Sequence, residues 1–215
     1  MVPEPRVNEP RADRSQADPP RANDDRPESI VIRPGLPSDA AAIARLFHDT
    51  VREINSRDYS LSQVKAWAPD DLSFRNWAER SQTRWTIVAE DRSVPDRDLI
   101  AGFCELEPDG HIDCFYCHKN YQRCGLGRQL YQALETEALD RSLQQLQVES
   151  SITARPFFEA MGFIMLSPQT VSVRGESFVN YKMVKALNPR SVESKHKTSY
   201  SRQQEFLAVN HSSND

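Results

Sequence analysis

The residues best suited to chemistry lie in one short stretch, Gln122-Arg123-Cys124-Gly125-Leu126-Gly127-Arg128. Two glycines ahead of an apolar-periodic run let a ligand approach the unpaired N–H groups of a helix's first turn. Those donors, with the side chains of Gln122, Arg123 and Arg128, favour a negatively charged group. Arginine suits phosphate because its fork of donors meets two oxygens at once. The chemistry implied is a pyrophosphate cradle, although the same glycines also serve a tight turn into a helix with no ligand.

The elements that must position this loop can be read on either side of it. Residues 111–117 are rich in aromatic and β-compatible side chains and read as a strand. After the loop, Leu126, Leu130, Leu134 and Ala138 recur every four residues along one helix face. Three phosphate-binding patterns compete for such a strand–loop–helix unit. A P-loop needs Lys and Ser/Thr after its last glycine, where Arg128-Gln129 stand. A Rossmann turn needs Gly directly after the strand and a third Gly where Leu130 stands, although Glu149 falls where a ribose carboxylate would. The third pattern is Gln-x-x-Gly-x-Gly as it stands.

Cys114-Phe-Tyr-Cys117-His118 satisfies the string that attaches c-type haem. It sits in a strand pattern, however, and no export signal precedes it. Zinc binding by His111, Cys114, Cys117 and His118 fares no better, since a spacing of three sends Cys114 and Cys117 to opposite faces of a strand. No metal is expected.

At 215 residues the chain suits one domain with tails, large enough for a substantial core. A formal net charge of −4 argues against a nucleic-acid footprint, which calls for clustered basic residues. No apolar run approaches the roughly 18 residues of a membrane span. Four cysteines without a signal peptide read as reduced thiols, and a cytoplasmic location is expected. Residues 1–28 hold six of the fourteen prolines and almost nothing large and apolar, so they read as a disordered tail. A second such tail is expected over residues 188–215, leaving a domain over 29–187.

Within that domain a first strand is expected at residues 30–33. A helix capped by Ser38 follows, with Ile43, Phe47, Val51 and Ile54 on its apolar face. Two short helical pieces come next, the first capped by Ser60 or Ser62. Tyr59 and Trp67 are candidates for the wall of a pocket. Strands are expected at 86–90 and 99–107, the second placing Ala101, Phe103, Glu105 and Glu107 on one face. Beyond the long helix come a strand at 146–149, a helix stopped by Gly162, and two final strands. Antiparallel strands followed by strand–helix–strand units predict an α/β fold with a mixed sheet.

Gln122, Gly125 and Gly127 in this spacing resemble the acyl-CoA loop of the GNAT N-acetyltransferase superfamily. Ser151-Ile-Thr-Ala-Arg-Pro-Phe-Phe-Glu-Ala-Met-Gly-Phe163 is similar to the same superfamily's later helix. Ala154, Phe157, Gly162 and Phe163 match, Ser151 stands where Asn is usual, and Phe158 stands where a proton-donating Tyr is usual. The stretch from Tyr59 to Pro69 further resembles the bacterial YafP-like branch. The resemblance spans about residues 30–187.

It implies a mostly antiparallel sheet, flanked by helices, that splays at its middle. Acetyl-CoA, as co-substrate, would lie in the splay with its pyrophosphate on residues 122–128. The backbone of Phe115-Tyr116-Cys117 would hold its carbonyl, with Ser151, Phe157 and Phe158 alongside. Transfer to an amine of a small molecule, protein or peptide would be direct, in a ternary complex, which disfavours Cys117 as an acyl carrier. Glu105 is the expected base, because partial burial would raise its pKa toward the working range; Asp113 is second, and His111 is a further candidate. With Phe158 lacking a hydroxyl, Ser151, Thr153 or water must protonate the departing thiolate, or CoA leaves unassisted. The alternative is a non-catalytic acyl-CoA sensor acting through a partner.

Overall fold

The computed structural model describes residues 29–93 and 99–188. Both expected tails, save residue 188, and residues 94–98 lie outside the described residues. The chain runs β1 (Ile30–Pro34), α1 (Ala40–Glu53), α2 (Leu61–Trp67), α3 (Trp77–Thr83), β2 (Trp85–Asp91), β3 (Leu99–Leu106), β4 (Ile112–Cys117), α4 (Leu126–Asp140), β5 (Gln145–Ser151), α5 (Arg155–Ala160), β6 (Ile164–Val173) and β7 (Glu176–Ala186). Strands β1-β2-β3-β4 form one antiparallel sheet, and β5-β7-β6 form another. The two meet at a parallel bridge, His111 with Gln147, closed by the Gln147 N–H donating to the Gly110 carbonyl at 3.0 Å. Beyond that seam β4 and β5 diverge, which is the expected splay.

Each face of the first sheet carries its own helical layer. On one side α1 buries Ile43, Leu46, Phe47 and Val51 against Val88, Ile100 and Phe103, with α2 and α3 completing the cluster. On the other, α4 buries Leu126, Leu130, Leu134 and Ala138 with Cys104, Leu106, Leu146 and Phe158. Each large apolar side chain so buried contributes about 1.5–3 kcal/mol.

Local details depart from the sequence expectation in three places. Asp39, rather than Ser38, is the N-cap of α1, and its carboxylate accepts the Leu36 N–H at 2.7 Å while pairing with Arg33. Ala101 packs with the α4 layer while Phe103 packs with the α1 layer, because the ladder slips between Ala89 and Glu90. In β4 the partners of Glu105 and Leu106 are Cys114 and Ile112, so Asp113 is an extra, bulged residue. As expected, Ser60 caps α2, here in a reciprocal capping box with Gln63.

Candidate active site

The splay opens a cavity of about 710 Å³ that runs from the glycine loop, past the end of β4, to the aromatic residues of α2 and β7. The main chain of β4 is available to it. His118 donates its N–H to the Ala101 carbonyl, and alternation along an antiparallel ladder then turns the polar groups of Cys117 and Phe115 away from β3. In keeping with that, the Cys117 carbonyl accepts from Thr50 Oγ1, at 3.4 Å, rather than from a strand. Tyr116 lines the cavity through its ring, which stacks on Phe103 and meets Phe47 edge-on.

At the loop, Gly125 is the N-cap of α4 with φ +88°, a conformation side chains rarely adopt. Arg123 shares it at φ +63°. Gly127 is needed for a different reason: a Cβ there would sit 3.2 Å from the Phe157 ring. Gln122, Arg123, Gly125, Gly127 and Arg128 all line the cavity. Arg123 and Arg128 are exposed and make no ion pair among the described residues. Leu126 is 2 % exposed and belongs to the core. Cys124 is exposed beside the loop, its thiol directed at the Tyr121 carbonyl. The residues therefore fit a polyanion with a long thin tail: donors and unpaired cations at the helix start, and a slot between two diverging strand edges.

The later motif closes the far side. Phe157 and Phe158 pack on Phe115, and Phe158 is 2 % exposed, with no hydroxyl to offer. Ser151 accepts the Ala154 N–H at 3.1 Å, which leaves its own proton available. Thr153 donates to Asp58 at 2.6 Å and so has its proton engaged. Cys117 lines the slot, but burial pushes its thiol up to about 12, so it stays protonated and is a poor nucleophile.

The three candidate bases are placed differently. Glu105 is 1 % exposed, lies under Arg80, and is not part of the cavity wall. The strand bulge turns Asp113 to the same side, where Oδ2 pairs with Arg80 and lies 3.6 Å from Arg84 Nε, while Oδ1 has no hydrogen-bond partner among the described residues. Asp113 does line the cavity. Burial pushes its pKa up, but the hydrogen bond and charge of Arg80, backed by Arg75 and Arg84, outweigh this and hold it below the ordinary value. His111, also in the wall, sits between Glu107 (Nδ1, 3.1 Å) and Glu149 (Nε2, 2.5 Å). Burial alone would lower its pKa; the two carboxylates overcome that and raise it.

Tyr59, Trp67 and Phe178 line the acceptor end in mutual ring contact, with centroids 5.4–5.8 Å apart. Arg75, Arg80 and Asn180 were not legible as site residues in the sequence. The one local signal is that Arg75 and Asn76 lie between the aromatic residues Phe74 and Trp77.

An α/β fold with helices on both faces, a splayed sheet and an anion-binding helix start defines an acyl-CoA transferase type of architecture. Known proteins agree with that reading. The family described as "Acetyltransferase (GNAT) domain" matches residues 55–185. YafP of Escherichia coli K12, named an uncharacterized N-acetyltransferase, is 32% identical over 155 residues, covering 72% of this chain and 95% of the relative. A GCN5-related N-acetyltransferase from Rhodopseudomonas palustris is 35% identical with a TM-score of 0.66, covering 74% of this chain and 96% of its own. yncA from Salmonella typhimurium, solved with its cofactor acetyl-CoA, shares the fold at 18% identity, covering 74% of this chain and 94% of its own, with a TM-score of 0.52. The chain belongs to the GNAT acetyltransferase family and is an N-acetyltransferase. No helix among the described residues is long and apolar enough to cross a membrane.

Proposed function

We propose that the chain moves an acetyl group from acetyl-CoA to an amine by direct transfer in a ternary complex. The observation that carries this reading is the slot between β4 and β5, continuous with the glycine loop at one end and with an aromatic, carboxylate-bearing pocket at the other. Gln122, Arg123, Arg128 and the N–H groups after Gly125 hold the pyrophosphate. The main-chain groups of Phe115 and the N–H of Cys117, turned away from β3, orient the acyl tail and its carbonyl.

At the acceptor end Asp113, ionised and with one oxygen unspent, holds the ammonium. An alkylammonium with a pKa around 10 must lose a proton before its lone pair can attack. His111 in its neutral form, with one of its two carboxylates released, takes that proton, directly or through one water, since its raised pKa makes it a stronger base than a depressed carboxylate. The nitrogen then bonds to the carbonyl carbon, the carbon–sulfur bond breaks, and the thiolate leaves with a proton from Ser151 or water. Glu105 has a supporting role in this reading, fixing Arg80 and through it Asp113.

Phe158 is the observation favouring a non-catalytic acyl-CoA sensor, because the usual phenol is absent. Thiol release from acetyl-CoA against a panel of amines and peptides decides between the two. Turnover on a member of the panel is expected; acetyl-CoA binding with no turnover on any of them would favour the sensor.

A further inference from the structure

Arg75 is a cavity cation with no carboxylate in contact among the described residues. It precedes α3, lines the acceptor end of the cavity, and is only partly buried. Its guanidinium carbon lies 5.2 Å from the Phe47 ring centroid, 5.8 Å from Phe74 and 5.7 Å from Trp77. Three rings thus hold the side chain in place, which reduces the entropy lost when it binds a ligand. Among the described residues its one hydrogen bond runs from Nη1 to Cys114 Sγ at 3.5 Å, and a buried neutral thiol is a weak acceptor. Arg80 and Arg84, on the same side of the sheet, are by contrast tied to Glu105, Asp113 and Glu107. The charge of Arg75 is felt at Asp113, but the two form no ion pair. Most of the five donors of Arg75 are therefore unspent.

A second polar group in the same cavity is also unsatisfied. Asn180 Oδ1 is buried and has no hydrogen-bond partner among the described residues. An oxygen in that position calls for an N–H donor, as does the free Oδ1 of Asp113. The pocket therefore offers a fork of donors for an oxyanion, acceptors for an ammonium, and the Tyr59–Trp67–Phe178 wall for an apolar body.

We propose that the acceptor is a small zwitterion of the free amino acid class, its carboxylate on Arg75 and its ammonium at Asp113 and Asn180. This rests on the acetyltransferase reading and narrows it. A carboxylate meets the guanidinium fork in two parallel hydrogen bonds, whereas a plain amine leaves Arg75 unpaired in the pocket.

The test compares amino acids with their decarboxylated and C-terminally amidated counterparts: phenylalanine against phenethylamine and phenylalaninamide, leucine against isoamylamine, lysine against cadaverine. Two readouts are used, thiol release from acetyl-CoA and calorimetric binding to the CoA-loaded protein. Wild type should prefer the carboxylate-bearing member of the best pair by roughly 10–100-fold in kcat/KM, mainly through KM. Arg75→Met should collapse that ratio, and Arg75→Lys should restore part of it, with CoA affinity reporting that each variant is folded. Equal use of the decarboxylated or amidated partner by wild type overturns the proposal, as does a preference that survives in Arg75→Met. Were Arg75→Met unable to bind CoA, the wild-type ratio and Arg75→Lys would still decide. Absence of thiol release with every compound would count against the transferase reading alone; carboxylate-dependent binding lost in Arg75→Met would still support the Arg75 site, and binding indifferent to the carboxylate would overturn it.

Discussion

Arg80 grips Glu105 by both carboxylate oxygens, through Nε to Oε1 at 3.4 Å and through Nη2 to Oε2. The same Nη2 reaches Asp113 Oδ2. One guanidinium thus joins a fully buried carboxylate to one that faces the cavity, and the two acids are expected to respond differently to neutralisation.

Glu105→Gln should act on the fold. Removing one charge of a buried pair costs roughly 3–5 kcal/mol where the partner is left uncompensated; Arg80 keeps Asp113, so about 3 kcal/mol is expected. In a domain of this size that corresponds to a melting temperature lower by about 10 °C. Asp113→Asn should act on the acceptor, raising its KM with little change in CoA affinity. Calorimetry and steady-state kinetics on both variants check this; a Glu105→Gln protein of unchanged melting temperature and much reduced kcat would return the base to Glu105.

The clasp of His111 with Glu107 and Glu149 predicts a pH-dependent seam. Arg84 also pairs with Glu107, at 2.6 Å, so the cluster is compact. The folded pKa of His111 is raised above 6.5, so its stabilisation is fully present below pH 6.5 and is lost as pH rises through the folded value. His111→Gln should lower the melting temperature most at about pH 6, with the difference fading in the alkaline range. A difference that grows with pH would contradict the assignment. In kinetics the same variant should lower kcat and flatten the acid limb of the pH profile.

At the loop, Arg128→Ala should weaken acetyl-CoA binding by roughly 10–100-fold, the range for a lost hydrogen bond to a charged group. Gln122→Ala should weaken it less, since a neutral donor is lost. Both side chains are at the surface of the loop, so melting temperatures should move little. Gly125→Val is the less informative variant, because φ +88° strains any side chain before a ligand is considered. Unchanged affinity in a folded Arg128→Ala protein would remove that side chain from the cradle.

Cysteine chemistry offers a check on direct transfer. Cys117 is half-buried beside the slot, desolvation pushing its thiol up to about 12, whereas Cys124 is exposed. Iodoacetamide near neutral pH should modify Cys124 well before Cys117, as read by peptide mass spectrometry. Initial-rate plots should intersect, as a ternary complex requires. Parallel lines, with an acetylated Cys117 recovered in the absence of acceptor, would show an acyl-enzyme instead.

Much of this protein was legible along the chain. The helix that carries Leu126, Leu130, Leu134 and Ala138, and the glycines that begin it, follow from periodicity and local backbone needs, which act over a few residues. The capping box of Ser60 with Gln63 is local in the same sense. What tertiary structure decided is which polar groups meet in the cavity. A bulge at Asp113 shifts the period-2 pattern by one residue, and no local signal marks it. Arg80 reaches Glu105 from 25 positions away and Asp113 from 33, so that burial of Glu105 and exposure of Asp113 depend on where α3 docks. Arg75 and Asn180 line one cavity only because the β6–β7 sheet closes the pocket that α1, α2 and α3 begin. Short-range patterns determine the elements; long-range packing of α3 and β7 against the splayed strands determines the acceptor site.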